Sequence, residues 1–206
     1  FVKVYSEKMS KSLGNSFTIR EVTDKYHPLA LRWMLLGTHY RAPINYTRRA
    51  LEEASDRLFY CYQTLADAKT ALSVLDSESK DSTDDSTTKK PKPPTGIAAE
   101  AIALASTTYE QTTAALADDL NTPACLAALS SPLKTLNDLV STKKGKKAVG
   151  RSVALSDLIA AVETTLESVG LSREGGEGLL EELRELTLRR AGLTRDDVDA
   201  AVAARA

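Results

Sequence analysis

The sequence predicts an all-α helical bundle following a short residual strand, and three observations carry that reading. Apolar residues recur at spacings of three and four along several long stretches, which is the period of one helix face. Thr and Pro stand where those stretches begin, and Gly where several of them end. The two-residue alternation of a strand is confined to Phe1-Val2-Lys3-Val4-Tyr5, which is short and predicts pairing with a sheet that lies outside this chain. At 206 residues the chain is one or two domains by length and can bury a real core. About six to eight helices are expected, joined by loops.

In chain order, Thr18 with Glu21 three residues on forms the capping box of a short helix containing Val22. Pro28 suits the first turn of a helix over Leu29–Leu36, with Gly37 as its stop. That helix is apolar on almost every side, which predicts burial, with Trp33 as a core anchor. His39-Tyr40-Arg41-Ala42-Pro43 reads as a polar, aromatic loop between two helices, either a functional contact or a packed corner. Thr47 caps a long helix whose stripe is Leu51, Ala54, Leu58, Cys61, Leu65, Ala68 and Leu72. Arg48, Arg49 and Arg57 lie off that stripe, where pairing with Glu52, Glu53 and Asp56 is favoured over contact with phosphates. From Ser73 to Thr95, Ser, Thr, Asp and Lys dominate, Pro91, Pro93 and Pro94 close the run, and a disordered insertion or linker is expected.

Helix signals resume over Ile97–Ala117 and break at Asp118-Asp119-Leu120-Asn121, after which Thr122 reads as a cap and Pro123 as a first-turn residue. The next stripe is Leu126, Leu129, Leu133, Leu136 and Val140, kinked or split by Pro132. Lys143-Lys144-Gly145-Lys146-Lys147, near Arg151, is the one dense basic patch. It lacks interleaved aromatics, and a solvated surface loop is the preferred reading over an RNA contact. A further stripe runs from Leu155 to Val169 and ends at Gly170, and residues 173–178 form a glycine-rich hinge. No strand precedes that hinge, so it does not read as a dinucleotide loop. Leu179 to Leu186 begins another helix, and Thr194 with Asp197 caps the last one, which runs toward Ala206 with no stop signal.

Composition narrows the function classes. A net charge of −1, from 27 basic and 28 acidic residues, gives no global attraction to nucleic acid, so RNA binding would need local patches. Cys61 and Cys125 are too few for a disulfide framework and read as buried apolar residues of a reducing compartment, the cytoplasm or else an organelle. No apolar run approaches a membrane span, and no signal peptide is predicted. His27 and His39 lack partners at ligand spacing, so no metal site is expected. The start at Phe1, without Met, reads as a piece of something longer.

The chemistry concentrates in Lys8-Met9-Ser10-Lys11-Ser12-Leu13-Gly14-Asn15. Two Lys ammonium groups on flexible stems and two Ser hydroxyls suit a mobile loop that grips polyphosphate. Gly14 can take a positive φ to turn the chain, and Asn15 tolerates one. A lysine so placed can stabilise charge developing on phosphate oxygens, by roughly 3 kcal/mol if it matches one oxyanion donor.

This run resembles the KMSKS signature of class I aminoacyl-tRNA synthetases. The segments Thr18-Ile19-Arg20-Glu21-Val22, Tyr26-His27-Pro28-Leu29-Ala30-Leu31-Arg32 and His39-Tyr40-Arg41-Ala42-Pro43-Ile44-Asn45-Tyr46 narrow the resemblance to cysteinyl-tRNA synthetases. It is close over residues 1 to 62 and looser at Asp118-Asp119-Leu120-Asn121-Thr122-Pro123 and near the C-terminus. The resemblance implies that residues 1–16 are the edge of a Rossmann-type catalytic domain with its KMSKS loop, and 17–72 a stem-contact region and first long helix. Residues 73–96 would be the insertion, and 97–206 a bundle leading toward an anticodon-binding domain. It further implies ATP-dependent activation of cysteine, with ATP as its Mg2+ complex, and transfer to cysteine tRNA by a monomeric enzyme.

In that scheme Lys8 and Lys11 are catalytic, and Lys8, Met9, Ser10, Lys11 and Ser12 bind ATP. His39, Tyr40 and Arg41 are the candidate tRNA contacts, and Asp118 and Asp119 belong to a structural corner. The zinc ligands and the second nucleotide motif of the family would lie upstream of this loop, so this segment alone is expected to be inactive and to hold no metal. Two other readings stay open: a ligase joining cysteine to an amino-sugar acceptor, and a non-catalytic helical binding module derived from a synthetase.

Overall fold

The computed structural model describes residues 2–4, 7–10, 12, 14–81, 93–172 and 178–205. Three strands are described, β1 (Val2–Val4), β2 (Glu7–Lys8) and β3 (Ile44–Tyr46). The described helices are α1 (Ile19–Thr23), α2 (Pro28–Leu36), α3 (Arg48–Asp81), α4 (Ile97–Ala117), α5 (Thr122–Ala128), α6 (Ser130–Ser141), α7 (Lys143–Lys146), α8 (Arg151–Ser168), α9 (Leu179–Ala191) and α10 (Arg195–Ala203). They fall into two compact units, Phe1–Tyr60 with Arg173–Ala206, and Cys61–Ser172. The helix-dominated class is as expected, with a small sheet in place of a lone strand.

In the first unit the expected strand finds its partners within the chain, which corrects the prediction of an external sheet. The order is β2-β1-β3. β2 pairs antiparallel with β1, setting Lys3 opposite Lys8. β3 pairs parallel with it, setting Lys3 opposite Asn45. Ile44-Asn45-Tyr46 is extended because Pro43 before it cannot continue a helix, and its two large side chains suit a pleated surface. Val4 turns inward and is buried.

α1 opens with the predicted capping box, in which the Thr18 hydroxyl accepts the Glu21 N–H while the Glu21 carboxylate accepts the Thr18 N–H at 2.6 Å. These bonds hold the Glu21 carboxyl below the usual carboxylate range. α2 begins at Pro28 as expected, with His27 as its cap: His27 Nδ1 accepts from the Leu29 N–H at 3.1 Å, and Nε2 faces Glu182 of α9 at 3.2 Å. The expected all-round burial of α2 does not occur. Ala30 is its one buried residue, Trp33 is half-buried, and Leu35 is 44% exposed. Val22, Tyr26 and Leu51 form a core cluster against which Leu31 and Met34 pack. Arg190 of α9 stacks its guanidinium over Tyr26 at 4.3 Å and donates to the Lys25 carbonyl at 3.0 Å.

α3 follows its predicted stripe from Leu51 to Ala68 and is capped by Thr47, whose hydroxyl accepts the Ala50 N–H at 3.0 Å. Its exposed arginines pair along the helix as predicted, Arg48 with Glu52 at 3.0 Å and Arg49 with Glu53 at 2.8 Å. The helix runs beyond Leu72 to Asp81, into the stretch expected to be disordered. Adding a residue to an existing helix gains a hydrogen bond without a new nucleation cost, and Ser73 and Ser77 bond back to the carbonyls of Thr70 and Val74. Residues 82–92 of the expected insertion, and 173–177 of the expected hinge, lie outside the described residues.

In the second unit α4 and α8 pack most extensively. Ala98, Ala101 and Ala105 keep α4 slim enough for close approach, and Leu155, Leu158, Val162 and Leu166 of α8 fill the core. Two buried polar side chains satisfy each other there, Thr112 and Thr165 at 3.0 Å. The Tyr62 hydroxyl donates to the Leu171 carbonyl at 2.6 Å. The stripe is split as expected, with α5 ending at Ala128 and α6 starting at Ser130, and Pro132 falls in the first turn of α6. The cap of α5 is Asn121, not Thr122: its side chain accepts from the Ala124 N–H at 3.3 Å. The shift arises because Asp119 and Leu120 both take positive φ, 53° and 55°, which turns the chain one residue earlier.

The basic run expected in a loop forms α7, capped by the Thr142 hydroxyl on the Gly145 N–H at 2.9 Å. Gly145 is buried against α6, where a Cβ would meet the Asp138 carbonyl oxygen at 2.1 Å. Gly145→Ala is expected to destabilise the fold by about 1–3 kcal/mol, the usual range for overpacking, as measured by urea unfolding.

A second expectation concerns pH. The Glu21 carboxyl titrates lower in the folded than in the unfolded chain, so its contribution is present above the ordinary glutamate range and is lost as pH falls through the folded value. Amide NMR shifts of Thr18 and Glu21 should report fraying of α1 on acidification, and Glu21→Gln should remove that pH dependence.

Candidate active-site loop and adjoining aromatic loop

The lysine loop leaves the sheet at β2. Lys8 is exposed at the end of that strand, and the Met9 N–H donates to the Val2 carbonyl at 3.1 Å, the last bond before the chain departs. Asn15 then closes the loop on itself. Its Oδ1 accepts the Ser10 N–H at 2.8 Å, and its Nδ2 donates to the Lys8 carbonyl at 3.2 Å. Between these clasps the Ser10 and Ser12 hydroxyls lie 3.2 Å apart, and Gly14 has φ +67° with open space where a Cβ would be. Lys11 and Leu13 lie outside the described residues. The described part is a polar loop whose base is fixed by one amide side chain and whose crown carries hydroxyls.

Lys3 was not singled out by sequence reasoning, which treated it as one position in an alternating strand. The register places it between Lys8 and Asn45 on neighbouring strands. Cross-strand neighbours of this kind share one face, so Lys3 and Lys8 stand side by side on the sheet. The signal was present as a Lys flanked by two Val, but its meaning needed the partner strands. The clasp of Asn15 was likewise visible only as a residue suited to a turn.

His39, Tyr40 and Arg41 are brought together as one knot. The His39 and Tyr40 rings stack with centroids 4.9 Å apart. Arg41 donates from Nε to the Tyr40 hydroxyl at 2.9 Å, and its N–H donates to His39 Nδ1 at 3.3 Å. Tyr40 is 59% exposed, so the knot offers an aromatic face and a guanidinium to solvent. The loop ends in β3, not in a helix as predicted, and that strand decides its position. Val2 is opposite Ile44 on one side and bonds to Met9 on the other, so both loops lie at the same end of the sheet. Two strand spacings, about 9–10 Å, separate the points where they meet it.

The remaining candidates for chemistry are buried or absent. Burial pushes the Cys61 thiol up to about 12, and burial also raises the Cys125 thiol, so neither is poised as a thiolate. Among the described residues no group of three or more His, Cys, Asp or Glu side chains is placed to hold a metal ion. No described helix is long and apolar enough to cross a membrane.

A family model for the catalytic domain of class I (C) tRNA synthetases matches residues 1–56. A chloroplastic/mitochondrial cysteine–tRNA ligase of Arabidopsis thaliana is 47% identical over 96% of this chain and 33% of its own length. A chloroplastic/mitochondrial counterpart from Oryza sativa is 44% identical over 96% of the chain and 32% of its own length. The cysteine–tRNA ligase of Nitratidesulfovibrio vulgaris is 34% identical over 97% of the chain and 38% of its own length. The chain spans about a third of the length of these curated relatives. By sequence, this chain is similar over almost its whole length to a segment of the cysteinyl-tRNA synthetases.

Proposed function

We propose that this chain is the part of a cysteine–tRNA ligase that supplies the ATP-side lysine loop and the helices facing tRNA. One observation carries the reading: the Lys8–Asn15 loop, clasped at its base by Asn15, shares one end of a small sheet with the His39–Arg41 knot. The reaction joins two sites, since an activated acyl group made on ATP must pass to the end of a tRNA. Cysteine's carboxylate attacks the α-phosphate of ATP, giving cysteinyl-adenylate and releasing pyrophosphate. The hydroxyl of the terminal adenosine then takes the acyl group and AMP leaves. No covalent bond to the protein is needed, so positioning and charge stabilisation account for the rate.

Lys8 and Lys11 hold the phosphate oxygens as charge shifts toward the leaving pyrophosphate, with Ser10 and Ser12 donating hydrogen bonds and Met9 packing the loop against the adenine side. Asn15 positions the loop by joining its two ends. His39, Tyr40 and Arg41 meet the tRNA through ring faces and one guanidinium. Apolar residues left exposed on α1 and α2, Ile19 and Leu35 among them, fit a surface covered by the rest of such a ligase. Any zinc that selects cysteine would be held elsewhere in that enzyme. The compartment is the cytoplasm or an organelle, the latter because the two plant relatives are named chloroplastic/mitochondrial.

The test is a chimera in which this chain replaces the corresponding segment of the Arabidopsis relative. Charging of tRNA with cysteine is expected, and a folded chimera that charges none overturns the reading. Lys11→Ala should lower kcat by about a hundredfold or more, the size of losing one oxyanion donor. Asn15→Ala should lower kcat less, with the KM for ATP rising as the loop loses its clasp. The 206-residue chain alone is expected to show no cysteine-dependent pyrophosphate exchange.

A further inference from the structure

We propose that Lys143, Lys144, Lys146 and Lys147 form a second contact for RNA, made to the phosphate backbone without regard to base sequence. The inference rests on the ligase reading for RNA as the partner, but its observations lie in the other unit. The basic run is a rigid turn: Thr142 caps it, and Gly145 seats it on α6 with no room for a Cβ. All four lysines are exposed, and none of their side chains has an ion-pair or hydrogen-bond partner among the described residues.

That is unlike this chain's usual practice. Arg48, Arg49 and Lys69 each lie within 3.0 Å of a carboxylate, and Arg151 next to the turn is committed to the Leu139 carbonyl at 2.9 Å. Across α7 and its C-cap Lys147, the pairs Lys143–Lys146, Lys143–Lys147 and Lys144–Lys147 fall at helical spacings where like charges repel. A fixed, uncompensated cluster of point charges suits phosphates in series. Lysine in place of arginine, with no aromatic side chain between Leu139 and Arg151, suits the backbone and not the bases. Val149 and Val153 nearby are exposed, but a four-residue turn offers no apolar face of the kind that lies in a bilayer.

The experiment measures the affinity of the full 206-residue chain for a short RNA hairpin, and for a second hairpin of shuffled sequence, across a series of KCl concentrations. Replacing the four lysines by Gln should make log K against log[KCl] shallower by roughly three units, equally for both hairpins, and weaken binding roughly tenfold or more at low salt. Replacement by Arg should preserve the slope. Thermal unfolding of both variants checks that the fold is kept. An unchanged slope in the Gln variant overturns the proposal. So does loss of binding to anionic phosphatidylserine vesicles with RNA binding intact, which would assign the patch to a membrane. In the ligase chimera the Gln variant should raise the KM for tRNA and leave kcat near its parent's value. A chimera that charges no tRNA, with the salt slope still shifted, removes the ligase reading and leaves the RNA contact standing.

Discussion

β1 is hydrogen-bonded along both edges, to Glu7–Lys8 on one side and Ile44–Tyr46 on the other, and each pairing pins one loop. A two-stranded ribbon of this length would be marginal in water. The third strand adds a second set of ladder bonds and lets Val4 turn toward the interior. The parallel partner matters most for function. Parallel strands need a long crossover, and here that crossover holds the lysine loop, α1 and α2 before the chain returns as β3. Residues some thirty positions apart in sequence, Met9 and Arg41, thereby reach the same end of one sheet.

Around that sheet, fixed geometry comes from polar groups joined in pairs more than from apolar mass. His27 caps α2 with one ring nitrogen and faces Glu182 with the other, so the start of α2 is tied to α9. Since Nδ1 accepts a hydrogen bond there, Nε2 is the nitrogen that carries the proton toward Glu182. Arg190 adds a second tie, over the Tyr26 ring and onto the Lys25 carbonyl, so α9 holds both ends of the turn between α1 and α2. The second unit behaves differently. Its Ala-rich α4 and Leu-rich α8 approach closely, and the buried Thr112–Thr165 pair is one satisfied polar contact inside that apolar contact.

Much of this was legible because local chemistry decides it. Thr18, Thr47 and Thr194 cap the helices that their sequence positions predict, and the stripe from Leu51 to Ala68 is buried as its spacing requires. What escaped depends on partners far away in sequence. The pairing of Val2–Val4 with Ile44–Tyr46 could not be read from either segment, since each alone is three residues of ambiguous strand. α2 looked buried because its residues are apolar, but hydrophobicity states a preference and not the presence of a covering surface. The seating of Gly145 depends on the Asp138 carbonyl, which no turn signal in Lys143–Lys147 encodes. In the lysine loop the residue types announced the chemistry, whereas the clasp that shapes it rests on which atoms Asn15 reaches.

The net charge of −1 hides where the cations stand. Arginines along α3 are neutralised within one helical turn by glutamates four residues on, and such pairs are screened and cost little to form or break. The lysines at Lys3 and Lys8, and those of α7, are arranged the other way, brought close to one another by strand register or by a rigid turn. Concentrating like charge is unfavourable for the isolated chain and favourable once a polyanion arrives, so folding and binding make opposite demands on these positions. A chain with nearly balanced charge can therefore still direct anions to a particular place, and the four lysines at and beside α7 mark where, among the described residues, cationic side chains stand without carboxylate partners.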